Sequence, residues 1–207
     1  MAVWPSPAAV NEVGAAVAGV QNLANALVPG LRWTTPEQWH LTLAFLGEVD
    51  DVRRADLEAR LARSAGRHAS MTLRFAGSGR FGDRVLFAKV AGDVAHVRRL
   101  ADSVVAAARR ARIDVDERPF RPHLTLARSA GGHGAAGGHG RGGGAASPDL
   151  APVLAALSGF EGTPWTAGEL CLVRSRLGQG PGRRAEYENV AVWTLQGPRR
   201  NDRVGIA

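Results

Sequence analysis

A chain of 207 residues with 45% hydrophobic content can bury a full core, as one domain or as two small lobes sharing a cleft. No apolar run is long enough and free enough of charge to span a bilayer, and Met1-Ala2-Val3-Trp4-Pro5 lacks a secretory signal's basic segment and apolar core, so a cytoplasmic protein with no membrane partner is expected. The lone Cys171 excludes an intrachain disulfide framework or thiolate metal site and reads as a buried small hydrophobe, while a net charge of +7, carried by arginine except at Lys89, suits an anionic partner.

In chain order, residues 8–27 read as a helix, with Val10, Val13, Val17, Val20 and Leu23 at three- and four-residue spacing and Pro29-Gly30 as the stop. Residues 39–46 have a strand pattern closed by Gly47. A helix over 50–65 follows, capped by Asp50 or Asp51, with Val52, Ala55, Leu57 and Leu61 as its buried stripe. Strands at 71–76 and 85–90 flank a glycine-containing loop over 77–82. The order then begins again: an Asp93-capped helix to about 112, a strand over 121–127, a short helix over 148–157, and strands over 169–175 and 187–195. Residues 129–147 are almost wholly Gly, Ala and His and read as a flexible loop. His133 and His139 lie in it without an acidic residue or cysteine beside them, which favours a solvated loop over a metal site.

The sequence His-Leu-Thr-Leu occurs twice, at residues 40–43 and 123–126. A separation of 83 residues is too long for a solenoid repeat and fits two pseudo-repeats, about 1–91 and 92–207, within one domain. Side chains alternate faces along a strand, so His40 and Thr42 share one face and Leu41 and Leu43 the other, as do His123 and Thr125 against Leu124 and Leu126. The leucines can anchor each strand in a core and leave an imidazole and a hydroxyl on the accessible side. Phosphodiester hydrolysis needs a base on the attacking water and an acid on the departing oxygen. Two imidazoles supply both near neutral pH, and threonine hydroxyls can donate to the non-bridging oxygens, with no metal or cofactor required. A single histidine in an apolar strand is usually structural; two in matched tetrapeptides at matched places are not required by any fold.

The motifs resemble those of the 2H phosphoesterase superfamily and, within it, the RNA 2′,3′-cyclic phosphodiesterase group, also called LigT-like or 2′-5′ RNA ligase-like. The resemblance runs through Arg32-Trp33, Pro36-Glu37-Gln38-Trp39-His40-Leu41-Thr42-Leu43 and Phe45-Leu46-Gly47-Glu48-Val49. It continues through Arg118-Pro119-Phe120-Arg121-Pro122-His123-Leu124-Thr125-Leu126-Ala127-Arg128 to Val173-Arg174-Ser175-Arg176-Leu177. It implies an α+β, bilobal duplicated fold, two antiparallel β-sheets facing a central cleft with helices on the outer faces. The implied reaction opens an RNA terminal 2′,3′-cyclic phosphate to a 2′-phosphomonoester, with His40 as proton donor and His123 as proton acceptor. The two motifs are identical, so the sequence itself does not assign these roles. Members of the group begin with a few more strand residues, so the first strand here looks short.

Further candidates for substrate binding are Thr42, Thr125, Arg121, Phe81 and Ser175. Arg121 precedes His123 by two residues and can share its face unless Pro122 breaks the alternation. Phe81 sits beside Arg80 among glycines and can stack on a nucleobase; Phe87, Trp33 and Trp39 can too, but aromatics near strands serve cores as readily, while Ser175 and Tyr187 are candidates for cleft-lining hydroxyls. Arg118 is a weaker phosphate candidate. The expected partner is RNA bearing a 2′,3′-cyclic phosphate end, bound by a monomer. The alternatives are a 2′-5′ RNA ligase or another cyclic-phosphate phosphodiesterase of the superfamily, or a non-catalytic RNA-binding module.

Overall fold

The structure, a computed structural model, describes residues 1–116, 118–129, 149–180 and 184–197. The Gly/His-rich segment from residue 130, with His133 and His139, lies outside the described residues.

In chain order the described elements are β1 (Ala2–Val3), α1 (Pro7–Leu27), β2 (Leu31–Trp33), a 3₁₀ turn at Pro36–Gln38, β3 (Leu41–Thr42), α2 (Asp51–Ala65), β4 (Met71–Phe81) and β5 (Val85–Gly92). There follow α3 (Val94–Arg110), β6 (His123–Ser129), α4 (Ala151–Leu157), β7 (Trp165–Ala167), β8 (Glu169–Gly180) and β9 (Arg184–Thr194).

The helices begin where their caps direct. Ser6 Oγ accepts the Ala9 N–H at 3.2 Å ahead of Pro7, and Asp50 Oδ1 accepts the Arg53 N–H at 2.8 Å. Asp93 behaves differently: its carboxylate accepts the Thr72 N–H at 2.8 Å and makes no side-chain cap, tying the start of α3 to β4. The buried stripe of α1 is Ala9, Val13, Val17, Val20 and Ala24, with Leu23 40% exposed; in α2, Leu57 and Leu61 are buried while Val52 is 83% exposed. Sequence periodicity located each stripe but missed its edges: Ala55, expected in the stripe of α2, is exposed, and Ser64 and Ala65 are buried instead, while in α1 Ala9 and Ala24 are buried in place of Leu23.

The α+β class and the antiparallel pairing are as expected. The strands follow one hydrogen-bonded path, β7-β4-β5-β6-β3-β1-β8-β9, with β2 also paired to β6. The strand sets expected as two sheets are therefore joined. The joint is the antiparallel pairing of the two His-Leu-Thr-Leu strands, β3 and β6, at Leu41 and Leu124. The short β1 is interior, with Ala2 pairing Thr42 on one side and Cys171 on the other. β1, β2 and β7, two or three residues each, are too short to show alternation in sequence, and β3 is only two residues where a strand over 39–46 was expected.

Leu41, Leu43, Leu124 and Leu126 are buried in one core cluster with the inward faces of all four helices. Cys171 is 1% exposed, and burial pushes its thiol up to about 11, as suits an inert packing residue. No described helix is long and apolar enough to cross a membrane.

Candidate active site

The pairing of β3 with β6 creates the site. Leu41 faces Leu124 across the ladder, and both are 0% exposed. Carrying that antiparallel register one residue each way sets His40 opposite Thr125 and Thr42 opposite His123. All four are half-buried on the face away from the leucines. The histidines are then diagonal neighbours, a relation that spans roughly 7–8 Å in an antiparallel pair. Two imidazoles and two hydroxyls thus surround one centre with approximate two-fold symmetry.

Their surroundings break that symmetry. His40 packs between Trp4, with ring centroids 5.2 Å apart, and Tyr187, edge-on at 4.7 Å. Trp4 Nε1–H donates to Asn189 Oδ1 at 2.9 Å, and Gln38 Nε2–H donates to the Ala185 carbonyl at 2.9 Å, fastening the approach to His40 against β9. His40 Nδ1 is buried without a well-formed hydrogen bond. Burial pushes the His40 pKa down to about 4; the Gln38 carbonyl opposes this, and the amino terminus, His123 and Arg128 add to it.

His123 Nδ1 lies 2.6 Å from the Arg121 carbonyl oxygen. A carbonyl only accepts, so Nδ1 carries the proton and the neutral ring offers its Nε2 lone pair to the open face. Phe81 meets this imidazole edge-on at 4.8 Å and Phe87 at 5.4 Å, the two phenyl rings being 4.4 Å apart. Gly79 makes room for them, since a Cβ there would come within 2.5 Å of the Phe87 ring. Burial lowers the His123 pKa, the Arg121 carbonyl opposes that, and Arg128 reinforces it.

Arg128 is a site residue that sequence alternation misplaces. Counting by twos from His123 puts it on the opposite face. The β5–β6 register shifts between Leu86 and Phe87, which pair with Ala127 and Thr125, so Leu126 is an extra residue. Leu126 and Ala127 are consequently both buried, and Arg128 returns to the face of His123 and Thr125, close enough to depress both imidazoles. Thr34 holds this bulge. Its N–H donates to the Leu126 carbonyl at 2.8 Å, and its hydroxyl is 2.8 Å from the carbonyls of both Thr125 and Leu126. The same hydroxyl accepts Trp39 Nε1–H at 2.8 Å, linking the residue before His40 to the strand of His123.

Among the other predicted residues, Phe81 closes β4 instead of lying in a loop, because β4 runs through the glycines to residue 81. Arg121 supplies its carbonyl to His123. Ser175 is exposed and pairs with Tyr187 across β8 and β9. Trp39 is a core residue, Trp33 packs against the core, and Arg118 engages Asp116 through Nε at 2.7 Å. Lys89 is exposed on β5 directly opposite His123. Trp4, Thr34 and Arg128 were not singled out from sequence; the last entered only as the end of the stretch that carries the family resemblance, and the matching position after the first motif is Phe45. Among the described residues no three His, Cys, Asp or Glu side chains converge as a metal site.

This fold, with its duplicated histidine strands at the centre of one sheet, places the chain in a family. It belongs to the 2′-5′ RNA ligase superfamily, whose family profile matches residues 15–179. It is 29% identical over 190 residues to the RNA 2′,3′-cyclic phosphodiesterase of Geobacillus stearothermophilus, covering 90% of this chain and 55% of that protein. It is 32% identical over 158 residues to the Thermus thermophilus protein of the same name, covering 72% of this chain and 69% of that one. The chain thus spans a little over half the length of the first relative. The crystal structure of TT0787 of Thermus thermophilus superposes with a TM-score of 0.67 at 27% identity, over 96% of this chain and 97% of that one.

Proposed function

We propose that this protein is an enzyme that hydrolyses the terminal 2′,3′-cyclic phosphate of RNA to a 2′-phosphomonoester by paired-histidine acid–base catalysis. The observation that carries the reading is the Leu41–Leu124 pairing, which sets two imidazoles and two hydroxyls around one centre. The names of the relatives supply the substrate class.

In the proposed reaction His123 Nε2 accepts a proton from water as the water oxygen attacks phosphorus. The bond from phosphorus to O3′ breaks, and His40 delivers a proton to O3′, leaving a 3′ hydroxyl and a 2′-phosphate. The Arg121 carbonyl raises the proton affinity of His123, as a base requires. His40, held at about 4 in the protein alone, is a strong acid once protonated. The negative charge of a bound phosphodiester favours imidazolium and offsets burial, so substrate binding loads the donor. Thr42 and Thr125 hydroxyls donate to the non-bridging oxygens, Arg128 balances their growing charge, and the Phe81–Phe87 pair offers a face to the terminal base.

The test is product analysis on an RNA oligonucleotide ending in a 2′,3′-cyclic phosphate, with and without chelator. A 2′-phosphate formed equally in both is expected. A 3′-phosphate product overturns the proton assignment, and a new 2′-5′ linkage between two RNA ends in place of hydrolysis assigns the chain to ligation.

A further inference from the structure

Helices α2 and α3 run antiparallel over the outer layer, fastened at one end by Arg53 Nη1–H to the Arg112 carbonyl at 3.4 Å and at the other by His68 Nε2 to Ser103 Oγ at 2.9 Å. Between them lies a pocket of about 60 Å³ lined by Arg60, Arg63, Arg67, Ser103, Ala107 and Arg110. A buried water needs about 10–15 Å³ on this measure, so the pocket has room for a group of four or five heavy atoms, the size of a phosphate.

Four guanidiniums around one small pocket need a reason. Arg60 and Arg63 stand one turn apart on α2, and Arg67 follows in the turn just past its Gly66 C-cap, so that all three line the pocket. Among the described residues Arg63, Arg67 and Arg110 have no carboxylate within ion-pair distance, although Asp50, Asp51 and Glu58 on the N-terminal part of α2 pair with Arg53 and Arg54. Arg60 is paired through Nε to Asp56 at 2.9 Å, which steadies the guanidinium and leaves its two Nη groups for another acceptor. Helix dipoles explain Arg63 and Arg110, which stand in last turns, but not Arg60 in mid-helix. If His68 Nε2–H donates to Ser103, that serine's own proton is free to join the guanidiniums. Among the described residues the lining has donors in excess and no acceptor carboxylate, which is the complement of an anion.

We propose that Arg60, Arg63, Arg67 and Arg110 form a phosphate-binding site on the α2–α3 surface, separate from the histidine face. Its ligand chemistry is a phosphate group gripped by several guanidinium forks, either a backbone phosphodiester of an RNA strand or a free polyphosphate. The site lies on the helical layer, across the leucine core from His40 and His123. A phosphate held there is at a distance from the reacting end and takes no part in the chemistry.

The test compares wild type with the triple variant R60Q/R63Q/R67Q, in full-length protein with matched thermal midpoints. The probes are a single-stranded RNA 20-mer ending in a 3′ hydroxyl, sodium tripolyphosphate, and a mononucleoside 2′,3′-cyclic phosphate as reporter of the histidine site. If RNA is the ligand, the triple variant loses about tenfold or more in RNA affinity at low salt, and its log-affinity against log-salt slope flattens by roughly 0.7 for each phosphate no longer neutralised. If free polyphosphate is the ligand, tripolyphosphate affinity falls and RNA affinity does not. Either result supports the site, with turnover of the mononucleotide unchanged. Affinities for RNA and tripolyphosphate both within twofold of wild type overturn it. Should no cyclic phosphate be hydrolysed while the triple variant still loses binding, the proposed reaction fails and the phosphate site stands.

Discussion

The two His-Leu-Thr-Leu strands carry the same four residues and place them identically, yet their histidines occupy different electrostatic settings. His40 lies between Trp4 and Tyr187, where burial outweighs the Gln38 carbonyl and pushes its pKa down to about 4, while His123 lies against Phe81 and Phe87 with its Nδ1–H held by the Arg121 carbonyl. The strand code delivers a side chain to a face. Proton affinity is decided by burial against distant parts of the chain, set against the carbonyl two residues upstream, so a duplicated motif can supply an acid and a base without any difference in its own sequence.

The largest expected effect comes from removing either histidine. His40→Ala and His123→Ala should each lower turnover of a cyclic-phosphate RNA by about 10²–10⁴-fold, the usual range for a general acid or base, with little further loss in the double variant. Near wild-type activity in one variant alone would end the idea of shared labour.

Stability separates the two histidines next. The folded pKa of His40 is depressed, so between about 6.5 and 4 the unfolded chain binds a proton that the folded chain excludes, and stability falls as the medium is acidified through that window. The size is on the order of 3 kcal/mol. Denaturant titrations across this range should show a flatter pH dependence in His40→Gln. His123→Gln should flatten it less, since the Arg121 carbonyl partly offsets burial there, and His68 and His96, also depressed by burial, keep part of the slope in both.

Arg128 acts on both histidines at once. Arg128→Gln should reduce kcat/KM by about thirtyfold, near 2 kcal/mol for a hydrogen bond to a charged group, and should raise both imidazole pKa values because the arginine depresses them. An acidic limb of the pH–rate profile that moves up confirms the placement; an unmoved limb removes Arg128 from the site. The smallest effect belongs to the link between the strands. Thr34→Val leaves Trp39 Nε1–H without its acceptor and the bulge without its clip, a cost of about 1–2 kcal/mol in denaturant stability. A several-fold loss in kcat at unchanged KM would mark Thr34 as a positioning residue; no loss in kcat would confine it to stability.

Much of this was legible before any coordinates. Val13, Val17 and Val20 of α1, Leu57 and Leu61 of α2, the Asp50 cap, and the leucine and histidine faces of both motif strands follow from periodicity and local residue preference. What escaped did so for identifiable reasons. Arg128 was hidden by a bulge at Leu126, which reverses the alternation and leaves no local signature. Trp4 approaches His40 through the pairing of distant strands, which also brings Tyr187, a sequence candidate, against that imidazole. Asp93 carries the residue type of a helix cap but finds a stronger use on Thr72 N–H in the neighbouring strand.

The sequence by itself determined that two strands would each present a histidine and a threonine on one face and leucines on the other, because a period of two is a property of the extended backbone. Only the tertiary structure decided that these strands would pair at Leu41 and Leu124, joining the two strand sets into one sheet and converging four polar groups on one centre. It also decided how deeply each imidazole would be desolvated and by which rings, Trp4 and Tyr187 on His40 and Phe81 and Phe87 on His123, since those neighbours come from distant parts of the chain.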